Sequence, residues 1–325
     1  MSVTEFMLQL SKNIIDTRKV GESTAAAYIR SLYILNDKKP FKTLTFLKDT
    51  EKIDKLIVAY APSTQKALYS TLSSVLSLYK DKPTYKRVYT FYYDKMMGKS
   101  KEASEVNPHE KTATQKDNWI SWDEVKKRHS DLKEKVDAFV SQKALTPSQF
   151  ETLLQYTVLS LYTFSQPRRN QDYMDMFVSI LKKLKPEELS KDKNYLTVEK
   201  IPTKFIFNKY KTAKKYGQQI IDISPELSEV LAMYLKHHPL LKGNKSKTVE
   251  CKFLVNSDGT PFTALNAITR ILNKIFGKKI GSSMLRHIYI SDKFGDEFKE
   301  MSETAANMGH SVSEQRNYAK SDNLT

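Results

Sequence analysis

The sequence predicts a mainly α-helical protein with a small β-sheet, divided into a helical N-terminal domain and a larger mixed α/β domain. Three observations lead there. Apolar residues recur at helical spacing through the first hundred positions, and short alternating, β-branched runs are confined to Tyr195–Ile223. Between these regions, positions 99–118 (KSKEASEVNPHEKTATQKDN) hold almost no large apolar side chain and read as a linker. The chain of 325 residues is long enough for each domain to bury its own core. The expected divisions are 1–98, a linker at 99–118, and 119–325.

In the first domain, Ala25, Tyr28, Ile29, Leu32 and Leu35 mark a helix with Ser23 or Thr24 as candidate N-cap. A second helix is expected over Ser63–Tyr79. It carries Leu68, Leu72, Val75, Leu76 and Tyr79 on one face, and Pro62 suits its start. Lys66, Ser70, Ser73, Ser74 and Ser77 form its other face, which suits either phosphate contact or plain solvation. After the linker, Trp119, Ile120 and Trp122 restart apolar packing, followed by a charged helical stretch over Asp123–Phe139.

Thr146-Pro147-Ser148-Gln149 reads as a capping box with proline in the first turn. The helix it opens buries Phe150, Leu153, Leu154, Val158 and Leu161 and stops at Ser165-Gln166-Pro167. Strands are expected over Leu196–Val198, Lys204–Phe207 and Gln219–Ile223, with Asn208–Gly217 (NKYKTAKKYG) as a basic hairpin turn. Ser224-Pro225 opens a helix with Leu227, Val230, Leu231 and Tyr234. A further helix carries Leu265, Ile268, Leu272 and Ile275 and is capped by Gly277, and another is expected from Leu285 to about Phe294.

Composition narrows the function classes. Lys and Arg number 53 against 37 Asp and Glu, a net charge of +16, which favours a polyanionic partner through counterion release. The single cysteine, Cys251, rules out an internal disulfide and a Cys-based zinc cluster, and its apolar neighbours suggest a structural thiol. None of the six histidines has metal-ligand spacing with another, so neither metal nor cofactor is expected. No apolar run approaches the ~20 residues needed to span a bilayer, and no leader pattern opens the chain. The protein is expected to be soluble, without a membrane partner.

Four separated spots then matter together: Arg168-Arg169-Asn170-Gln171-Asp172-Tyr173, Lys211-Thr212, Ser283-Met284-Leu285-Arg286-His287, and Met308-Gly309-His310-Ser311 with Tyr318 after it. Their order resembles the catalytic domain of the tyrosine recombinase (integrase) family. Arg169, Asp172 and Tyr173 fit the family's first box, whereas Arg168 fits only if the register slips by one. Lys211 is the best match to the hairpin lysine, with Lys209 in reserve. Arg286 and His287 fit the second box, but Ser283 stands where its first histidine would be. Met308-Gly309-His310-Ser311 fits the third, and Tyr318 falls one position short of the usual nucleophile spacing. Within the family, the Pro-Arg-Arg and Met-Leu-Arg-His wording is most similar to recombinases of eukaryotic DNA viruses and mobile elements.

The resemblance implies a helical core-binding (SAM-like) N-terminal domain joined to a mixed α/β catalytic domain, the two clamping double-stranded DNA. It implies a homo-tetramer at DNA, in a host nucleus or viral factory if the origin is viral. The chemistry implied is DNA recombination or integration through a 3′-phosphotyrosyl intermediate at Tyr318, without metal or ATP. Arg169 and Arg286 would clamp the non-bridging oxygens of the phosphorane, since guanidinium stays protonated and bonds in pairs. Lys211 would protonate the leaving 5′ oxygen, and His310 would donate to the phosphorane or manage the tyrosine proton. Ser283, Arg168 and His287 are supporting candidates. Ser283 can still donate a hydrogen bond but cannot serve as a base near neutral pH. Only a few residues follow Tyr318, so assembly uses a surface other than a C-terminal helix, or the chain continues further.

Taken one at a time, these residues have plainer roles: Arg168 and Arg169 as a solvated pair, Lys211 as a general phosphate contact, His287 as a packed histidine. Gly309 would be a helix cap, and Tyr318 is one of 18 tyrosines. The joint order is what points to catalysis. Two rivals stand beside it: a type IB topoisomerase, and a catalytically inert DNA-binding derivative suggested by Ser283.

Overall fold

A computed structural model describes residues 3–105, 110–180, 189–242, 249–264 and 266–318. Two compact units emerge, Met1–Glu110 and Lys111–Thr325. In the first, Thr4 caps α1 (Glu5–Arg18) by accepting the Met7 amide, and α2 (Glu22–Leu35) follows. Gly21, not Ser23 or Thr24, holds the α2 cap position, because the helix begins a turn-fraction earlier with Glu22 suited to the dipole. Asp49 caps α3 (Thr50–Val58), and Pro62 occupies the first turn of α4 (Pro62–Leu76), which continues as a 3-10 turn over Ser77–Tyr79.

The expected polar face of α4 is largely covered. Gln65, Thr71 and Ser73 are buried along with its apolar residues, while Lys66, Ser70, Ser74 and Ser77 are half-buried. The reason is position: α4 lies at the centre of its unit, with α5 (Pro83–Glu105) along one side and α2 and α3 on others. Ser73 therefore cannot reach a phosphate. The helix α5 runs into the tract expected to be a linker, since Lys99–Glu105 contains neither Gly nor Pro and Lys99 pairs with Glu102 at 2.8 Å. A second helix, α6 (Ala113–Asn118), ends that tract behind a Thr112–Gln115 capping box. The division between units still falls inside it.

In the second unit α6 is followed by α7 (Trp122–Asp137) and α8 (Pro147–Thr163), the latter opened by the expected Thr146–Gln149 capping box. Burial almost all round makes α8 the axis of the unit: Phe150, Leu153, Tyr156, Leu159, Leu161 and Tyr162 are all enclosed. After α9 (Asn170–Met174) comes a sheet of β1 (Met176–Ile180), β2 (Asn194–Val198), β3 (Pro202–Phe207), β4 (Gln219–Asp222) and β5 (Val249–Lys252). Its order is β4-β3-β2-β1-β5, with β1 parallel to β2 and the other pairs antiparallel. The three expected strands are present. Neither β1, which abuts a helix, nor the short charged β5 was marked by alternation. Cys251 sits in β5 opposite Val178, half-buried, and burial pushes its thiol up to about 11, as befits a structural group.

One helical turn, α10 (Ala213–Tyr216), breaks the expected open hairpin between β3 and β4. Ser224 caps α11 (Pro225–Lys236), and Gly277 caps α12 (Ala267–Phe276) at φ +65°; Leu265 lies outside the described residues. The largest departure is α13 (Ser282–Asn307), expected to stop near Phe294. Its one interior glycine, Gly295, costs roughly 1 kcal/mol of helix propensity and does not stop a helix without proline or a cap. Met284, Leu285 and Ile288 bury its first turns, after which Ala305 is the next buried residue. A final helix, α14 (Val312–Tyr318), closes the described chain. Among the described residues, no helix is long and apolar enough to cross a membrane.

Candidate active site

The chain leaves α8 at Thr163, turns through Pro167, and re-enters helix at Asn170, with Arg169 in extended backbone just before it. Arg169 holds the N-cap position of α9, and Arg286 lies one turn into α13. Both line one cleft of about 810 Å³, with Asp172, Tyr210, Thr212, Tyr216, Gln219 and Tyr289 among its other walls. Two arginines distant in sequence thus line a common space.

The neighbouring arginines divide their roles. Arg168 donates from Nε to Asp172 Oδ2 at 3.0 Å and from Nη1 to Gln219 Oε1 at 2.8 Å. Its guanidinium also lies 3.8 Å from the Phe207 ring centroid. Those bonds commit Arg168 to structure. No hydrogen bond or ion pair among the described residues engages the Arg169 side chain.

Asp172 lies buried beneath this pair. Burial raises its carboxyl above the ordinary carboxylate range, outweighing the attraction of Arg168, Arg169 and Arg286. Its Oδ1 has no hydrogen-bond partner among the described residues. Asp172 is the one acidic side chain bonded to this arginine pair among the described residues.

Lys211 is exposed on the β3–β4 connection, between Tyr210 and Thr212, which do line the cleft. That connection is closed on itself: Tyr210 donates to the Gly217 carbonyl at 2.8 Å, and Gln218 to Asn208 at 2.6 Å. Asn194, fully enclosed at the head of β2, fixes its base. Asn194 Oδ1 accepts the amides of Asn208 (2.9 Å) and Lys209 (2.7 Å). Its Nδ2 donates to the carbonyls of Lys209 (2.9 Å) and Asp172 (3.0 Å). One asparagine so ties the lysine-bearing loop to the arginine-bearing turn. It was not singled out in the sequence, where an asparagine heading a strand looks like any turn residue.

Ser283 and His287 are exposed and line no part of the cleft. His287 does not pack, contrary to its plainer expected role; Ser282, one position earlier, is the buried serine.

His310 and Tyr318 are together but elsewhere. Gly309 ends α13 at φ +74°, a conformation that favours glycine, and lets the chain turn back into α14. The His310 and Tyr318 rings stack with centroids 5.4 Å apart and planes 24° apart. Both His310 ring nitrogens are buried without a hydrogen-bond partner among the described residues, and Tyr318 is 63% exposed. Contact is face to face, so no imidazole-to-phenol proton path exists in this arrangement. From Arg286 to the end of α13 at Asn307, a rise of 1.5 Å per residue amounts to roughly 30 Å. The structure unites Arg169 with Arg286, and His310 with Tyr318, and separates the two pairs.

Among the described residues, no group of acidic, His or Cys side chains could hold a metal ion. No protein-family model, curated protein or solved structure matches the chain.

Proposed function

We propose that the protein is a DNA strand-transfer enzyme of the tyrosine recombinase type, with Tyr318 as nucleophile. The observation that carries this reading is the shared cleft of Arg169 and Arg286, the two residues that the resemblance casts as phosphate clamps, which lie far apart in the sequence. In the reaction, Tyr318 Oη attacks the scissile phosphorus. The bond to the 5′ oxygen breaks, and that oxygen leaves with a proton supplied by Lys211. Arg169 and Arg286 bind the non-bridging oxygens more strongly as their charge grows, the condition for catalysis rather than mere binding. The product is a 3′-phosphotyrosine whose bond energy is recovered when a second 5′ hydroxyl attacks. The net charge of +16 supports a DNA partner of either unit.

The distance along α13 adds a condition. Tyr318 stacks on His310 past the far end of α13, a helix that extends roughly 30 Å beyond Arg286, so in this reading it serves the cleft of another copy in a DNA-bound assembly. The same separation favours a second reading, an inert DNA-binding derivative in which the two pairs never meet. Trapping on a nicked DNA substrate distinguishes them: the enzyme becomes covalently attached through Tyr318, whereas the derivative binds without attachment.

A further inference from the structure

Arg169 and Arg286 share a cleft, yet their own side chains do little to hold them there. Arg286 Nε makes one long contact, 3.4 Å to the Ser282 carbonyl, and Arg169 makes none among the described residues. The fixing elements lie underneath. Tyr162, in the last turn of α8, is wholly buried, and its hydroxyl donates to Asn170 Oδ1 at 2.9 Å. Asn170 directly follows Arg169, and its Nδ2 donates to Thr269 Oγ1 on α12 at 2.8 Å. Thr269 in turn meets the start of α13, where a Cβ on Gly281 would stand 3.3 Å from Thr269 Cγ2. Ser282 is buried in the first turn of that helix, and Arg286 follows it by one helical turn.

A phenylalanine would fill the volume of Tyr162 without bringing a hydroxyl that must be satisfied inside the core. The hydroxyl instead holds Asn170, which joins the turn that presents Arg169 to Thr269, the residue packed against the start of the helix that presents Arg286. We propose that Tyr162 and Asn170 form a buried strut that sets the spacing of the two guanidinium groups, making Tyr162 a positioning residue for the phosphate clamp. Its purpose rests on the strand-transfer reading; the strut itself does not. Misplacing a clamp by about 1 Å costs on the order of a hundredfold in rate, so a partial loss of spacing should still be measurable.

The test compares the full chain with its Tyr162→Phe and Asn170→Ala variants, which break the strut at opposite ends. The Nε–Hε resonances of Arg169 and Arg286, assigned from Arg→Lys substitutions, should shift and exchange faster with solvent in both variants. Covalent attachment to nicked DNA should slow by about tenfold or more while DNA affinity stays within about twofold. Unchanged arginine resonances in the two variants would overturn the strut. So would parallel losses of stability, DNA affinity and rate, which mark a merely structural role. If the unmodified chain forms no adduct at all, the strand-transfer reading fails, and the arginine resonances alone still decide the strut.

Discussion

At the scale of single residues, the two adjacent arginines make opposite predictions. Arg168 neutralises a buried carboxylate and stacks on Phe207, so Arg168→Ala leaves Asp172 enclosed without its partner. That loss should lower stability by about 3 kcal/mol in a denaturant melt. Arg169 is half-exposed and engages no hydrogen bond among the described residues, so Arg169→Ala should change stability by less than about 0.5 kcal/mol. It should nevertheless slow covalent attachment to DNA by about a hundredfold or more. A melt and an adduct assay on both variants check the pair; equal effects on stability would show that the roles were misassigned.

At the scale of elements, two joints have measurable energetics. Where α7 meets α8, His129 is bonded to Ser160 Oγ at 2.9 Å and enclosed by the Tyr156 and Phe164 rings. Burial lowers its pKa from 6.5 to about 4, with Lys133 adding to the shift. Since the folded value lies below the unfolded one, the unfolded chain binds more protons between these limits. Stability contributed by neutral His129 is intact above pH 6.5 and is lost as pH falls towards 4, by about 3 kcal/mol in all. A His129→Phe variant should show that much less pH dependence in urea melts over the same range; identical slopes would contradict the assignment. At the second joint, Asn194→Ala strands the Asn208 and Lys209 amides and should cost roughly 3 kcal/mol. Amide exchange should accelerate first at those two residues, and protection equal to wild type would show that the loop is held by other means.

These joints also show what was legible in the sequence. Apolar stripes with a starting signal located α4, α8 and α11, a stripe with a glycine stop located α12, and α7 was marked only as a charged helical stretch. The strands β2, β3 and β4 were marked by alternation, whereas β1 and β5 are short and were not. The arginines and the Gly-His-Tyr group were visible as spacing. What stayed hidden was burial of polar groups. Asn194, Tyr162, Asn170 and Ser282 take their roles from what lies opposite them in space, and nothing local distinguishes them from surface residues. The length of α13 was missed for a related reason: a helix beyond its packed turns has no apolar pattern to announce it, and Gly295 was too weak a stop.

At the scale of the whole molecule, α13 determines how the chemistry must be organised. Past Arg286 it runs for roughly 30 Å before the turn that leads to Tyr318, so in the proposed reading the clamp and the nucleophile of a productive site come from different copies. Mixing the Arg286→Ala and Tyr318→Phe variants should then restore covalent attachment, because one copy supplies an intact clamp and the other an intact tyrosine. An inactive mixture of two folded, DNA-binding variants would mean that each site uses its own tyrosine, reached by a break in α13. The polyanion preference implied by the charge of +16 belongs to this scale too, since it is spread over the chain and not confined to the cleft.

The most direct test of the central claim is incubation of the chain with nicked double-stranded DNA, from which the cleaved strand diffuses away, followed by denaturing separation and peptide mapping. The account predicts a covalent protein–DNA species whose attachment maps to Tyr318 and which the Tyr318→Phe variant fails to form while still binding the DNA. An adduct that survives in that variant, or complete absence of adduct on DNA that the unmodified chain binds and whose sequence it targets, would contradict it.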